Sequence, residues 1–201
     1  MGREGIVQGF PASLPRQIVV SSGTDMNVAD VLDQPSIFAT QVDPAISRRL
    51  QSAVEDRQRN RFEAEQLLWE ARAENPCCLP VYFALYKFYA NARRLNDAAR
   101  VSRLALTESA RQGGFHSNWE KLNSGAAGAK QVDLYASEAG LFYLMALKSL
   151  AFIKLRQKQM ADARAILMHL ARLDAEDRSG FSVVATLAEA VGLSFQDAAN
   201  E

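Results

Sequence analysis

Three residues of one segment recur at a fixed distance along the chain. Ala64, Leu68 and Ala71 are followed 34 residues later by Ala98, Ser102 and Ala105. Steps of four and three residues place each trio on one face of a helix. Small side chains at such positions let two helices approach closely. A repeat of this length is one two-helix hairpin, which cannot bury its apolar face alone and must stack on a neighbour. The expected fold class is therefore all-α, a short array of about three helical hairpins closed by a C-terminal capping helix.

Proline and glycine divide the chain in the same sense. All six prolines lie at or before residue 80, and no glycine occurs from residue 24 to residue 112. Residues 1–43 contain Pro, Gly and Ser without a helical period, so an irregular or partly disordered arm is expected there. Asp43 followed by Pro44 reads as a helix start. Helices are predicted over 44–58, 61–74, 79–92, 96–111, 136–157, 160–173 and 179–191, with starts marked by Asn96 and by the acidic Asp162. No alternating strand pattern competes after residue 44. Four glycines between 112 and 134 interrupt the helical run and mark an insertion. The predicted organisation is an arm over 1–43, a helical domain over 44–192 containing the 112–134 insertion, and a tail over 193–201.

Composition narrows the function. The 201 residues are 48% hydrophobic and carry no formal net charge, so the chain can bury a core and has no excess of cations for nucleic acid. Arg48 with Arg49, Arg57 to Arg61, and Arg93 with Arg94 each lie near acidic residues, as on a solvated helix face. The N-terminus has no continuous apolar stretch and is broken by Pro11 and Pro15, unlike a secretory signal. The most apolar window, 140–155, carries Lys148 and Lys154 and is too short to span a bilayer. These features predict a cytoplasmic protein with no membrane partner.

Candidate chemistry is sparse. Cys77 and Cys78 are adjacent and follow Pro76, at the turn between two hairpins. A structural zinc site needs four ligands at recurrent spacing, and only His116 and His169 could join the pair. A redox motif would need C-x-x-C. The pair reads better as small residues filling a corner. The segment SGAAGAK, ending at Lys130, lacks the Ser or Thr and the preceding strand of a phosphate loop. No catalytic constellation stands out, so neither an enzyme nor a cofactor is expected.

The 34-residue unit can be followed further. Tyr82, Leu85, Tyr86 and Tyr89 occupy the large, Leu, small and aromatic slots of a first helix, with Tyr86 large where a small residue is usual. Ala98, Ser102 and Ala105 follow in the second helix, and Pro76 closes the preceding unit. Leu147, Leu150 and Ala151, then Ala163, Leu167 and Leu170, repeat the pattern after the insertion, with Lys154 in the aromatic slot. Over about residues 45–174 the chain resembles the tetratricopeptide repeat family. The resemblance implies a right-handed superhelix whose first helices line a concave groove. Phe83, Lys87 and Asn91, and likewise Lys148, Phe152 and Arg156, are each spaced by four and would face that groove. Cations beside aromatics there suit an acidic peptide or helical segment, although Phe83 and Phe152 read more readily as core residues with the cations solvated. Phe115 and Trp119 in the insertion are a second candidate contact, unless they pack back onto the long helix.

The run PVYFALYKFYANARRLNDAARVSRLALTESARQGG, then NWEKL, then AEDRSGFSVVATL, resembles small tetratricopeptide-like proteins encoded in bacterial nitrogen-fixation gene clusters. That resemblance implies an adaptor or assembly factor whose partner is a nitrogenase component or maturation factor. Two rivals stand beside it. One is the tetratricopeptide class of type III secretion translocator chaperones. The other is a small metal or redox protein using Cys77 and Cys78. An incomplete array also exposes an apolar end that could pair in a homodimer.

Overall fold

The computed structural model describes residues 60–122 and 131–197, with side chains described to Gly192. The expected arm, the helix over 44–58 with its Asp43–Pro44 start, and the SGAAGAK segment lie outside the described residues, as do the last residues of the predicted tail. Among the described residues there are six α-helices and no strand. They are α1 (Arg61–Glu74), α2 (Leu79–Asn91), α3 (Leu95–Gly113), α4 (Glu138–Arg156), α5 (Met160–Leu173) and α6 (Phe181–Asp197). None is long and apolar enough to cross a membrane.

Each helix has a local cause. Asn60 caps α1, its Oδ1 accepting from the Glu63 N–H at 3.3 Å while its Nδ2 donates to the Glu63 carboxylate at 2.9 Å. Pro80 in the first turn of α2 has no N–H to satisfy there. Helix α3 starts one residue before the predicted Asn96, with Arg94 at its cap. The chain turns directly out of α2, and Arg94 is held by Asp97 at 2.8 Å. Helix α3 then runs to Gly113 and ends on Gly114, whose φ of 68° is cheap only without a Cβ. Helix α4 begins later than predicted because residues Leu134–Ala136 form a separate 3₁₀ turn capped by Asp133, after which Ser137 caps α4 through the Gly140 N–H at 3.1 Å. Gly140 is needed for a close approach, since a Cβ there would stand 2.1 Å from the Leu134 carbonyl oxygen. Helix α6 starts at Phe181, where Asp177 caps Ser182, and continues to Asp197, past the predicted boundary at 192.

Packing follows chain order. Each helix lies against the next, and α4 additionally touches α2 and α6. Every residue from Phe142 to Ile153 is consequently buried, which accounts for the apolar window. A fully buried Leu or Ile of the kind found at Leu85, Leu147 and Ile153 contributes roughly 1.5–3 kcal/mol relative to an exposed one.

The connections repeat as well as the helices. Between α2 and α3, Arg93 adopts φ 57°, Arg93 N–H donates to Ala90 and Arg94 N–H donates to Tyr89. Between α4 and α5, Lys158 adopts φ 62°, Lys158 N–H donates to Leu155 and Gln159 N–H donates to Lys154. Both are helix-ending left-handed turns of one type, 65 residues apart. Buried pairs share that offset: Leu85 with Leu150, Ala98 with Ala163, Ser102 with Leu167, and Ala105 with Leu170. The α1–α2 and α5–α6 connections match too. Asn75 and Asp174 end their helices, and Cys78 and Asp177 donate back to them. In that register Val184 and Ala188 of α6 fall where Leu85 and Tyr89 stand in α2, and all four are buried.

Candidate functional site

Helix α2 carries Phe83, Lys87 and Asn91 on one face. Phe83 is half-buried, packs on Leu79, Ala139 and Phe142, and stacks on Tyr86 with centroids 6.1 Å apart. The Lys87 Nζ lies 5.0 Å from the Phe83 ring centroid. Asn91 is exposed at the end of the helix. The face thus presents a cation held over an aromatic ring, with an amide beyond it.

The α4 trio is placed differently. Lys148 is 1% exposed and donates to the backbone carbonyl of Ser179 in the α5–α6 connection. Burial draws its ammonium down to about 8, opposed by Asp177 and Asp174 and aided by Lys87. Lys148 is therefore an interior cation beneath the start of α6, and Phe152, also 1% exposed, is a core ring. Arg156 is half-buried, its guanidinium 5.9 Å from the Phe152 centroid. The structure brings Lys87 within electrostatic reach of Lys148, and Arg156 within reach of Tyr86. The accessible parts of the two trios are Phe83, Lys87, Asn91 and Arg156.

Both insertion aromatics turn back onto the helices. Phe115 meets Tyr143 of α4 edge-on at 5.2 Å, and the Tyr143 hydroxyl donates to the Ser117 carbonyl at 2.8 Å. Burial pushes the Tyr143 phenol well above its usual range, so it stays a neutral donor. Trp119 meets His169 of α5 edge-on at 4.6 Å.

Cys77 and Cys78 lie in the α1–α2 turn and form no disulfide, the first exposed and the second half-buried. Arg111 approaches the Cys77 Sγ at 3.2 Å, and Gln112 donates to the Cys77 carbonyl at 2.7 Å. These contacts tie the turn to the end of α3. Among the described residues no three His, Cys, Asp or Glu side chains are grouped closely enough to hold a metal.

One polar cluster escaped the sequence reading. The Trp69 indole donates to the Tyr89 hydroxyl at 2.7 Å, Tyr89 donates to Glu65 at 2.7 Å, and Arg94 pairs with Glu65 at 2.6 Å. The Arg94 guanidinium lies 4.7 Å from the Tyr89 ring, while Arg72 and Arg100 lie 5.7 Å and 5.4 Å from Trp69. Desolvation, then the bond to Glu65, raises the Tyr89 phenol above its ordinary value. Tyr89 was legible as the aromatic of its repeat slot; its bond partners come from a different helix and were not.

No family model matches the chain, and no solved structure matches it. Over 121 residues it is 32% identical to a protein of Azotobacter chroococcum mcd 1 described as an uncharacterized 19.8 kDa protein in the nifW 5′ region. The match covers 58% of this chain and 64% of that protein. The relative thus has a nitrogen-fixation gene context.

Proposed function

We propose that this chain is a non-catalytic protein-binding scaffold of tetratricopeptide-like architecture, an adaptor or assembly factor in nitrogen fixation. The observation that carries the architecture is the shared register of α2–α3 and α4–α5, in which turns and buried residues recur at the same offset. Units that stack in this way present their first helices, here α2 and α4, along one continuous surface. In this reading that surface is the concave groove, with Phe83, Lys87, Asn91 and Arg156 in contact and Lys148 and Phe152 beneath them. Two cations already seated over rings suit an acidic protein segment, extended or helical. Phe115 and Trp119 act by anchoring the insertion beside the groove.

The nitrogen-fixation assignment is supported by the gene context of the Azotobacter relative. The partner in this reading is a nitrogenase component or maturation factor. Affinity capture with the full chain from its native host, grown with and without fixed nitrogen, tests it. Recovery of a nitrogenase-related protein only from cells fixing nitrogen is the expected outcome. Recovery of none, or of a secreted translocator protein instead, would overturn the assignment.

A further inference from the structure

The face of α2 and α4 suits an acidic segment, and the chain carries one of its own. Between Arg16 and Arg48 the sequence has no Lys, Arg or His and holds the carboxylates Asp25, Asp30, Asp33 and Asp43. Three of them fall in DMNVADVLD, residues 25–33, interleaved with Val28, Val31 and Leu32. An acidic segment with apolar side chains is the ligand class that a cation over an aromatic ring accepts. Lys87 over Phe83 and Arg156 over Phe152 are two such cations.

The fold brings the point of attachment to that face. Arg94, at the start of α3, pairs at 2.6 Å with Glu65 near the start of α1. Gln157, just past α4, donates to Asn96 of α3 at 2.8 Å. The start of α1, Asn91 at the end of α2 and Arg156 at the end of α4 therefore share one end of the array. Residues 34–60 join the acidic segment to α1, and at the 1.5 Å rise of a helix they already extend roughly 40 Å. Helix α2 packs on α1 and touches α4, and two helix spacings amount to about 20 Å. The tether is long enough. We propose that residues 25–33 bind in the groove of their own chain, with their carboxylates against Lys87 and Arg156. The proposal rests on reading that face as the groove for an acidic protein segment, and it adds a regulation: a partner must displace the tethered segment. Tethering supplies an effective concentration on the order of 1 mM. A segment that binds in trans at about 0.1 mM then weakens a competitor roughly tenfold.

Fluorescence anisotropy with a labelled synthetic peptide of residues 20–38 tests this without the partner protein. The full chain is compared with a full-length variant carrying Asp25→Asn, Asp30→Asn and Asp33→Asn. The variant should bind the peptide, and the wild type should bind it about tenfold more weakly. Adding Lys87→Glu and Arg156→Glu to the variant should abolish binding while the melting temperature is kept. Equal binding by wild type and variant, or binding by neither, would overturn the proposal. Carbodiimide coupling of the wild type, followed by peptide mapping, gives a second readout. A link from Asp25, Asp30 or Asp33 to Lys87 in the monomeric product is expected. Links to other lysines alone, or to Lys87 only in a coupled dimer, would contradict it. Capture that recovers no nitrogenase-related protein, beside a peptide that binds as expected, would remove the partner assignment and leave the tethered segment in place. The reverse pair of results would remove the tethered segment alone.

Discussion

Lys148 offers a quantitative test of the packing. Its ammonium is buried beneath the start of α6 and drawn from 10.5 to about 8, with desolvation as the largest cause. In the unfolded chain the group keeps its proton to about pH 10.5, whereas in the folded chain it releases it near pH 8. Between those values the unfolded state binds more protons, so stability rises with pH. The penalty is fully present below about pH 8 and gone above about 10.5, and at neutral pH it amounts to roughly 3 kcal/mol. About 2 kcal/mol of it is recovered between pH 7 and pH 9.5 by the same relation. For a chain of this length that is a Tm change of about 4–8 °C. Lys148→Met keeps the length of the side chain and removes the charge. Met also forfeits the bond to the Ser179 carbonyl, which offsets part of the gain at neutral pH, so the pH dependence is what isolates the charge. Guanidinium unfolding of both proteins at pH 7 and 9.5, followed by tryptophan fluorescence, should show their stability difference change by about 2 kcal/mol, in favour of the wild type at the higher pH. A difference independent of pH would refute the buried-ammonium reasoning.

Three further outcomes are expected. Lys158→Gly relieves a left-handed backbone at φ 62° and should raise unfolding stability by up to about 1 kcal/mol, whereas a loss would deny the turn geometry. Tyr89→Phe strands the Trp69 indole and Glu65 and should cost about 1–2 kcal/mol in thermal melts, while Arg94→Ala, whose ion pairs are largely exposed, should cost less than about 1 kcal/mol. Gly140→Ala drives a Cβ into the Leu134 carbonyl and should destabilise by about 1–3 kcal/mol, with unchanged stability contradicting the close approach.

The helices were legible because their causes are local. Period, caps and glycine breaks put α1 and α5 at their observed bounds and α2, α3 and α4 within two residues, whereas α6 runs six residues past its predicted end. The errors share a reason. Asn96 looked like a cap, but the end of α2 and the start of α3 are joined by a left-handed turn at Arg93, which moves the cap to Arg94. Lys148 looked like a groove cation because spacing by four assigns a face without saying what covers it. Its cover, the Ser179 carbonyl, comes from a connection 31 residues on. Lys154, the departure from the aromatic slot, instead pairs with Asp162 at 2.8 Å across the α4–α5 turn, a substitution of ion pair for ring that the register alone did not reveal. The aromatics at Phe115 and Trp119 were ambiguous for the same cause: a loop's partner is a tertiary fact.

The central claim is that the face shared by α2 and α4 captures a protein partner. Side-by-side capture from nitrogen-fixing cells, using the wild-type chain and the double variant Lys87→Glu with Arg156→Glu, measures this most directly when the recovered proteins are quantified by mass spectrometry. The variant should retain the wild-type melting temperature and lose most of a nitrogenase-related partner that the wild type recovers. Equal recovery by both proteins would contradict the account.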